Sequence, residues 1–472
     1  MLLRREHHPP PCMQDDNRAR LKQWLESGEA RLQPLSLSQR ELWETSPVPV
    51  GDPANYICSF IEIKGALTEK DCEAAIQRVV ERQEALRISL LPGKDRPLQL
   101  VRATGTAPLR HRALSREEVR PEALEDLLNE TYREPFDLVR GPIFRVDMLR
   151  RAANDHILAF SIHHAIADGW SLGVFVQDLC TAYVMGMTGL RKAMAVGMMG
   201  MPSSLSPVPQ TYTEWAAAER ATWSRPELGL RMDYWKSKLG GARQLFANAD
   251  GSPHKHQSLQ RWISAVPADL TRAVKELVRQ TATTLFSTLL AAFQVTLAKW
   301  AGRDDIVVGT PVANRGKAFA RQTMGYFAGV VPLRGQVDPN QLFSSHLRTV
   351  HETTVDAFAN AIPFAELAVA LGEPRSPGLH SIFDVRFALQ NHPTPDVVLP
   401  RISTKLRMRS TGTARFDLGC EITETGPELE VVWLFKPQMF PTSSISELNV
   451  LFLSLLSKAC RSPECRNASL AA

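Results

Sequence analysis

No stretch of this sequence stays apolar for long. The longest apolar runs carry charges or stop well short of the roughly 20 residues a bilayer demands, so no transmembrane helix is expected. Behind the basic start Met1-Leu2-Leu3-Arg4-Arg5-Glu6-His7-His8-Pro9 there is no apolar segment of the kind a secretion signal needs. A cytoplasmic location is therefore expected. Cysteine is scarce and scattered: Cys12, Cys58, Cys72, Cys180, Cys420, Cys460 and Cys465 form no C-x-x-C pair. That pattern suits free thiols in a reducing compartment rather than disulfides or a cysteine metal site. The net charge of +5 comes without a long Lys/Arg run, which argues against nucleic-acid binding while remaining compatible with an acidic protein partner. The G-x-S-x-G elbow of serine hydrolases is missing. No short repeat of the solenoid kind occurs.

What is present is ordinary globular composition. With 472 residues, 44% hydrophobic and 22% charged, the chain can bury a large core and has room for two or three lobes. Residues 1–33 are polar, contain Pro9-Pro10-Pro11, and read as a leader with a short helix over 20–25; such a leader is either frayed or a docking segment for a partner. A first lobe is expected over 34–186. Within it, 56–63, 87–91, 98–102, 143–149 and 156–162 read as strands. Helices are expected after the capping residue Thr68 and over 122–132. Residues 187–210, rich in Met, Gly, Ser and Pro, read as a linker. A second lobe over 211–472 shows the same alternation, with helices over 269–279, 284–300 and 445–459. Its expected strands are 262–266, 306–308, 330–333, 382–389, 418–423 and 429–434. The class is α/β.

The most informative segment is Ile162-His163-His164-Ala165-Ile166-Ala167-Asp168-Gly169-Trp170-Ser171. Its two histidines, aspartate and glycine at fixed positions should arise by chance on the order of once in a thousand chains of this length. It begins where a buried strand ends. Leu172, Phe175, Val176, Leu179 and Tyr183 follow at helical spacing, with Ser171 expected as the N-cap. An imidazole at the end of a rigid strand can act as a general base or position a nucleophile. Asp168 could serve as a second base, or as an anchor held by a cation. Gly169 suits a backbone that must approach a substrate or adopt positive φ, and its amide could polarise a carbonyl. His and Asp at short spacing also bind zinc, but no third or fourth ligand cluster accompanies them, so no metal is expected.

The segment resembles the HHxxxDG signature of nonribosomal peptide synthetase condensation domains, and the resemblance runs from Leu35 onward. Leu35-Ser36-Leu37-Ser38-Gln39-Arg40-Glu41-Leu42-Trp43 looks like the family's opening motif. Arg82-Gln83-Glu84-Ala85-Leu86-Arg87 is similar to the second, with Gln83 where histidine is usual. Tyr212-Thr213-Glu214-Trp215-Ala216 resembles the fourth, and Asp233-Tyr234-Trp235-Lys236-Ser237-Lys238-Leu239 the helix after the linker. Gly309-Thr310-Pro311-Val312-Ala313-Asn314-Arg315 looks like the strand and loop beneath the active site. Met324-Gly325-Tyr326-Phe327, Ile362-Pro363-Phe364-Ala365-Glu366 and Phe383-Asp384-Val385-Arg386-Phe387 resemble the later motifs. Ala328-Gly329 departs from the usual Val-Asn, and the seventh motif lacks its arginine-rich lead-in.

The resemblance implies two chloramphenicol-acetyltransferase-like lobes in a V around a central tunnel. It implies acyl or peptidyl transfer from a carrier-protein thioester to an amine or alcohol, giving an amide or an ester in nonribosomal peptide or hybrid polyketide biosynthesis. His164 would be the catalytic base and His163 its support. Asp168 would hold the loop through a salt bridge, to Arg82 first, Arg87 next and Arg315 as an outside choice. Trp170, Ser171, Asn314 and Tyr326 would line the tunnel. The intact histidines argue against the cyclising variant of the family. No adenylation or thioesterase region fits in the remaining length, so a free-standing enzyme is expected, with no bound cofactor and the phosphopantetheine arm brought by a carrier protein in trans. An acyl-coenzyme A acyltransferase of the same fold and a non-catalytic recruitment module are the alternatives.

Overall fold

The computed structural model describes residues 11–44, 50–65, 67–93, 96–187, 205–223, 225–246, 259–371, 382–390, 403–409 and 416–471. In chain order the first seven strands are β1 (Ala30–Pro34), β2 (Tyr56–Lys64), β3 (Ile88–Leu91), β4 (Leu98–Arg102), β5 (Leu109–Ala113), β6 (Phe144–Ala152) and β7 (Asp155–His163). The second seven are β8 (Gln260–Val266), β9 (Asp305–Val312), β10 (Gly329–Gln336), β11 (Val385–Gln390), β12 (Ser403–Arg409), β13 (Leu418–Thr425) and β14 (Glu428–Phe435). They build a three-stranded sheet of order β1-β4-β3, a five-stranded sheet of order β12-β2-β7-β6-β5 and a six-stranded sheet of order β10-β9-β11-β13-β14-β8. The helices that position the site are α1 (Pro11–Glu26), α2 (Leu37–Glu44), α3 (Glu69–Arg82), α4 (Pro121–Arg133) and α5 (Gly169–Met187).

β7 is the central strand of the five-stranded sheet, and its sequence explains why. Leu158, Phe160 and Ile162 join the core beneath α3 and α5, while Ile157 and Ala159 face a second cluster with Tyr56, Phe60 and Tyr132. Both faces are buried, which favours a strand of apolar and β-branched residues over one that alternates with polar ones. The helix α5 lies back over this sheet through Leu172, Phe175, Val176 and Leu179, with the Phe175 ring edge-on to Phe160 at 5.2 Å.

The two halves are less separate than the sequence implies. Strand β12, from the second half, pairs antiparallel with β2 and completes the first sheet. Tyr212, Met324, Tyr326 and Phe327 are buried in the first core rather than in the second, which gathers Phe293, Phe387, Trp433 and Phe452. At the other end, β1 falls inside the expected leader yet pairs with β4 along its whole length. A lobe boundary at 34 is therefore drawn one strand too late. The leader's helix runs over Pro11–Glu26, longer than the expected 20–25. Most of the expected linker, 188–204, lies outside the described residues. Among the described residues no single helix is long and apolar enough to cross a membrane.

Candidate functional site

β7 ends on His163, and the chain turns through one short helical turn, His164–Ile166, before α5 begins at Gly169. His163 is fully buried, its Nδ1 accepting the Ala165 N–H at 3.0 Å and its Nε2 lying 2.7 Å from the Val50 carbonyl. An acceptor role at Nδ1 and a carbonyl at Nε2 require a neutral ring protonated on Nε2. His163 therefore acts as a brace for the loop. His164 is half-buried, and its Nδ1 lies 3.2 Å from the Ala167 carbonyl. A carbonyl can only accept, so Nδ1 carries the proton and the lone pair of the neutral ring sits on Nε2. The Tyr326 ring packs beside this imidazole, with centroids 5.4 Å apart.

Asp168 closes the loop and opens α5. Its Oδ1 accepts the Ser171 N–H at 2.8 Å and the Ser171 Oγ–H at 2.9 Å. Asp168 is thus the N-cap, and Ser171, expected in that role, is three residues into the motif it caps. Asp168 does not pair with Arg82 or Arg87. Its partner is Arg315, whose Nη2 donates to Oδ1 at 2.7 Å and whose Nε reaches Oδ2 at 3.4 Å; the two side chains are 1% and 5% exposed. The remaining donors of Arg315 go to Ala320 O, to Thr323 O at 2.9 Å and to Ser171 Oγ at 2.7 Å, and the guanidinium lies over the Phe327 ring. Phe327 N–H adds a further bond to Asp168 Oδ2 at 3.2 Å.

The two arginines expected here are committed elsewhere, for geometric reasons. Arg82 ends α3, which packs on α5, so it meets Asp178 one helix face away at 2.7 Å. Arg87 spends its guanidinium on the carbonyls of Val80, Arg102 and Ala103. Gln83 takes up the second-motif position by bonding Asp178 Oδ2 at 2.8 Å, the Gln322 carbonyl and the Met324 N–H.

Of the four residues expected to line a tunnel, Ser171 does not. It is fully buried and its hydroxyl belongs to the Asp168–Arg315 network, donating also to Gly325 O at 2.7 Å. Tyr326 is buried beside His164. Trp170 is half-buried and donates to Arg321 O at 3.2 Å. Asn314, in the left-handed region at φ 50°, donates to Phe327 O at 2.9 Å. Gly169 does not have positive φ; as the first residue of α5 it has an N–H without an acceptor inside the helix.

Three supports of the loop escaped residue-by-residue assignment. Ser36 and Gln39 form a reciprocal capping box at the start of α2: Gln39 N–H donates to Ser36 Oγ at 3.0 Å, and Ser36 N–H to Gln39 Oε1 at 2.9 Å. The Gln39 amide nitrogen then reaches the carbonyl of Ala165, inside the signature, at 2.8 Å. Tyr212, fully buried, bonds Ser36 Oγ at 2.8 Å and donates to Tyr326 O at 3.0 Å. A Cβ on Gly325 would lie 2.1 Å from the Tyr212 ring, which is why glycine precedes Tyr326. The S-x-x-Q spacing is the signal that finds the first two; nothing local finds the third. Among the described residues no group of three His, Cys, Asp or Glu could hold a metal ion.

A profile of the condensation domain matches residues 29–471. Linear gramicidin synthase of Brevibacillus parabrevis is 30% identical over 91% of this chain, which spans 8% of that relative's length. An X-domain from teicoplanin biosynthesis, solved in complex with OxyB, superposes with a TM-score of 0.79 at 20% identity, covering 93% of this chain and 95% of that one. The starter condensation domain of rhizomide synthetase, solved with C8-CoA and Leu-SNAC, gives 0.76 at 18% identity, covering 93% and 96%. With the strand-loop-helix site in place and the profile spanning nearly its full length, the chain belongs to the condensation-domain family.

Proposed function

We propose that this protein transfers an acyl or peptidyl group from a carrier-protein thioester to an amine or alcohol, forming an amide or an ester, with His164 as the group that handles the nucleophile's proton. The nucleophile attacks the thioester carbonyl, the C–S bond breaks, and the proton taken up at His164 Nε2 passes to the departing thiolate. The observation that carries this reading is the Nδ1–H of His164 held on the Ala167 carbonyl, which leaves the lone pair on Nε2. A general base in this position contributes about 10²–10⁴-fold. The buried Asp168–Arg315 pair supports the same reading as a positioning device: both of its members are consumed by each other and by the loop. The Gly169 N–H is the amide we assign to the developing oxyanion. The phosphopantetheine arm comes with the carrier, and the protein needs no cofactor of its own.

Two other readings each have one observation behind them. The teicoplanin X-domain was solved bound to another protein, which favours a recruitment role. The rhizomide domain was solved with C8-CoA, which favours a coenzyme A donor. Intact-protein mass spectrometry separates all three. Separately supplied acyl carriers and acyl-coenzyme A are each incubated with protein and acceptor, using the wild type and His164→Ala. The expected result is product from the carrier-bound donor, about 10²-fold slower in the variant. Equal turnover by the variant would remove His164 from the chemistry, and no turnover by the wild type with either donor would favour recruitment.

A further inference from the structure

The second half holds a cavity of about 340 Å³ away from the signature loop, between the helix Arg225–Leu239, strand β10 and the helix Phe343–Ala359. Its inner wall is apolar, with Trp235, Leu290, Leu333 and Val350 all buried. Three polar side chains break this wall. His346 and Gln294 are each 1% exposed, and among the described residues neither imidazole nitrogen of His346 nor Oε1 of Gln294 has a hydrogen-bond partner. The Tyr234 hydroxyl is likewise buried and unpartnered among them. Each such group costs about 1–3 kcal/mol when left unpaired. Packing alone does not account for three of them converging on one hollow, since an apolar residue would fill any of these positions at lower cost.

The electrostatics of the lining narrow what belongs there. Among the described residues no carboxylate lines the cavity, so nothing there attracts a cation. Of the two basic residues, Arg334 is held bidentately by Asp305 at 2.8 Å and spends its remaining donor on the carbonyls of Lys238 and Gly240. Lys238 is exposed at the rim. Burial also lowers the His346 pKa to about 4, so the imidazole offers one donor and one acceptor without charge. The volume lies at the small end of ligand sites, which are usually apolar clefts with a few convergent polar groups.

We infer that this cavity is a binding site for a small uncharged molecule with an apolar body and an amide or hydroxyl head, which donates to Gln294 Oε1 and exchanges hydrogen bonds with His346 and Tyr234. The site stands apart from the reaction at His164, and either can fail without the other.

Four probes of one size and different heads test it on the full-length protein: benzamide, benzoate, benzylamine and toluene. Binding is read from the imidazole ¹⁵N resonances of His346 and from thermal shift. Benzamide is expected to shift His346 saturably and to raise the melting temperature, with the charged probes inert and toluene at least tenfold weaker. The double variant His346→Leu/Gln294→Leu should abolish the benzamide effect, while His164→Ala should not alter it. Gly335→Ala is the second arm. Its Cβ would lie 2.4 Å from Gln294 Oε1 and drive that amide into the cavity, weakening benzamide at least tenfold even if the double variant does not fold. Toluene binding as well as benzamide would reduce the site to an apolar void. Preference for benzoate or benzylamine would overturn the uncharged class. No saturable shift with any probe would leave a cavity for water only, and the inference would be wrong.

Discussion

Asp168 accepts from the amide and hydroxyl of Ser171, from two nitrogens of Arg315 and from the amide of Phe327, and with its partner it is almost sealed from water. Removing one member of such a pair strands the other's charge, at a cost of about 3–5 kcal/mol. Asp168→Asn and Arg315→Met should each lower the urea midpoint by that order, and the double variant should lose clearly less than the sum. Additive losses would mean the two residues act independently. Activity should fall with stability, because the loop that carries His164 is anchored through this pair. The sequence makes the motif legible because two histidines, an aspartate and a glycine sit between an apolar strand and an amphipathic helix. It does not reveal the arginine, since Arg82, Arg87 and Arg315 are alike in composition. What decides among them is the direction in which α3 and β9 deliver their ends, a property of tertiary packing.

At the scale of the element, α2 matters more than its eight residues suggest. Its capping box holds its own first turn and, through the free end of Gln39, the carbonyl of Ala165. Gln39→Leu should leave the Ala165 carbonyl unpaired, costing about 1–3 kcal/mol and lowering turnover more than it raises KM. Steady-state kinetics and thermal melts check it; an unchanged turnover would show that the loop does not need this tether. The next turn of the same device is pH-dependent. The Leu37 N–H donates to Glu219 Oε2 at 3.1 Å, and burial raises the Glu219 pKa to about 7 from 4.5. A carboxyl whose pKa is higher folded than unfolded binds its proton more tightly when folded, so stability falls as pH rises from about 4.5 to about 7 and stays lower above that. Glu219→Gln keeps an acceptor for Leu37 and cannot ionise. It should match the wild type near pH 4.5 and exceed it by about 1–3 kcal/mol at pH 8, the lower figure reflecting partial exposure. Parallel pH profiles of melting temperature for the two proteins would contradict the assignment. Of these elements the strands and long helices are readable from their periodicity. β12 is not, because its Lys and Arg positions look like surface coil until β2 is there to pair with them.

For the whole molecule, the interweaving of the halves determines what can fold alone. The first core is completed by Tyr212, Met324, Tyr326 and Phe327, and the first sheet by β12, all from beyond the expected linker. Each large apolar side chain buried there is worth about 1.5–3 kcal/mol, so losing these four removes on the order of 10 kcal/mol. Domains of this kind carry a net stability of about 5–15 kcal/mol, which leaves little or nothing for an isolated first half. The fragment 1–187 also lacks Arg315, so Asp168 would be buried without its cation. Expressed alone, this fragment should show no cooperative melting transition and poorly dispersed amide NMR signals. Co-expressed with 188–472, it should regain both, together with any activity of the intact chain. A fragment 1–187 that melts cooperatively by itself would show that the second half contributes surface rather than core to the first.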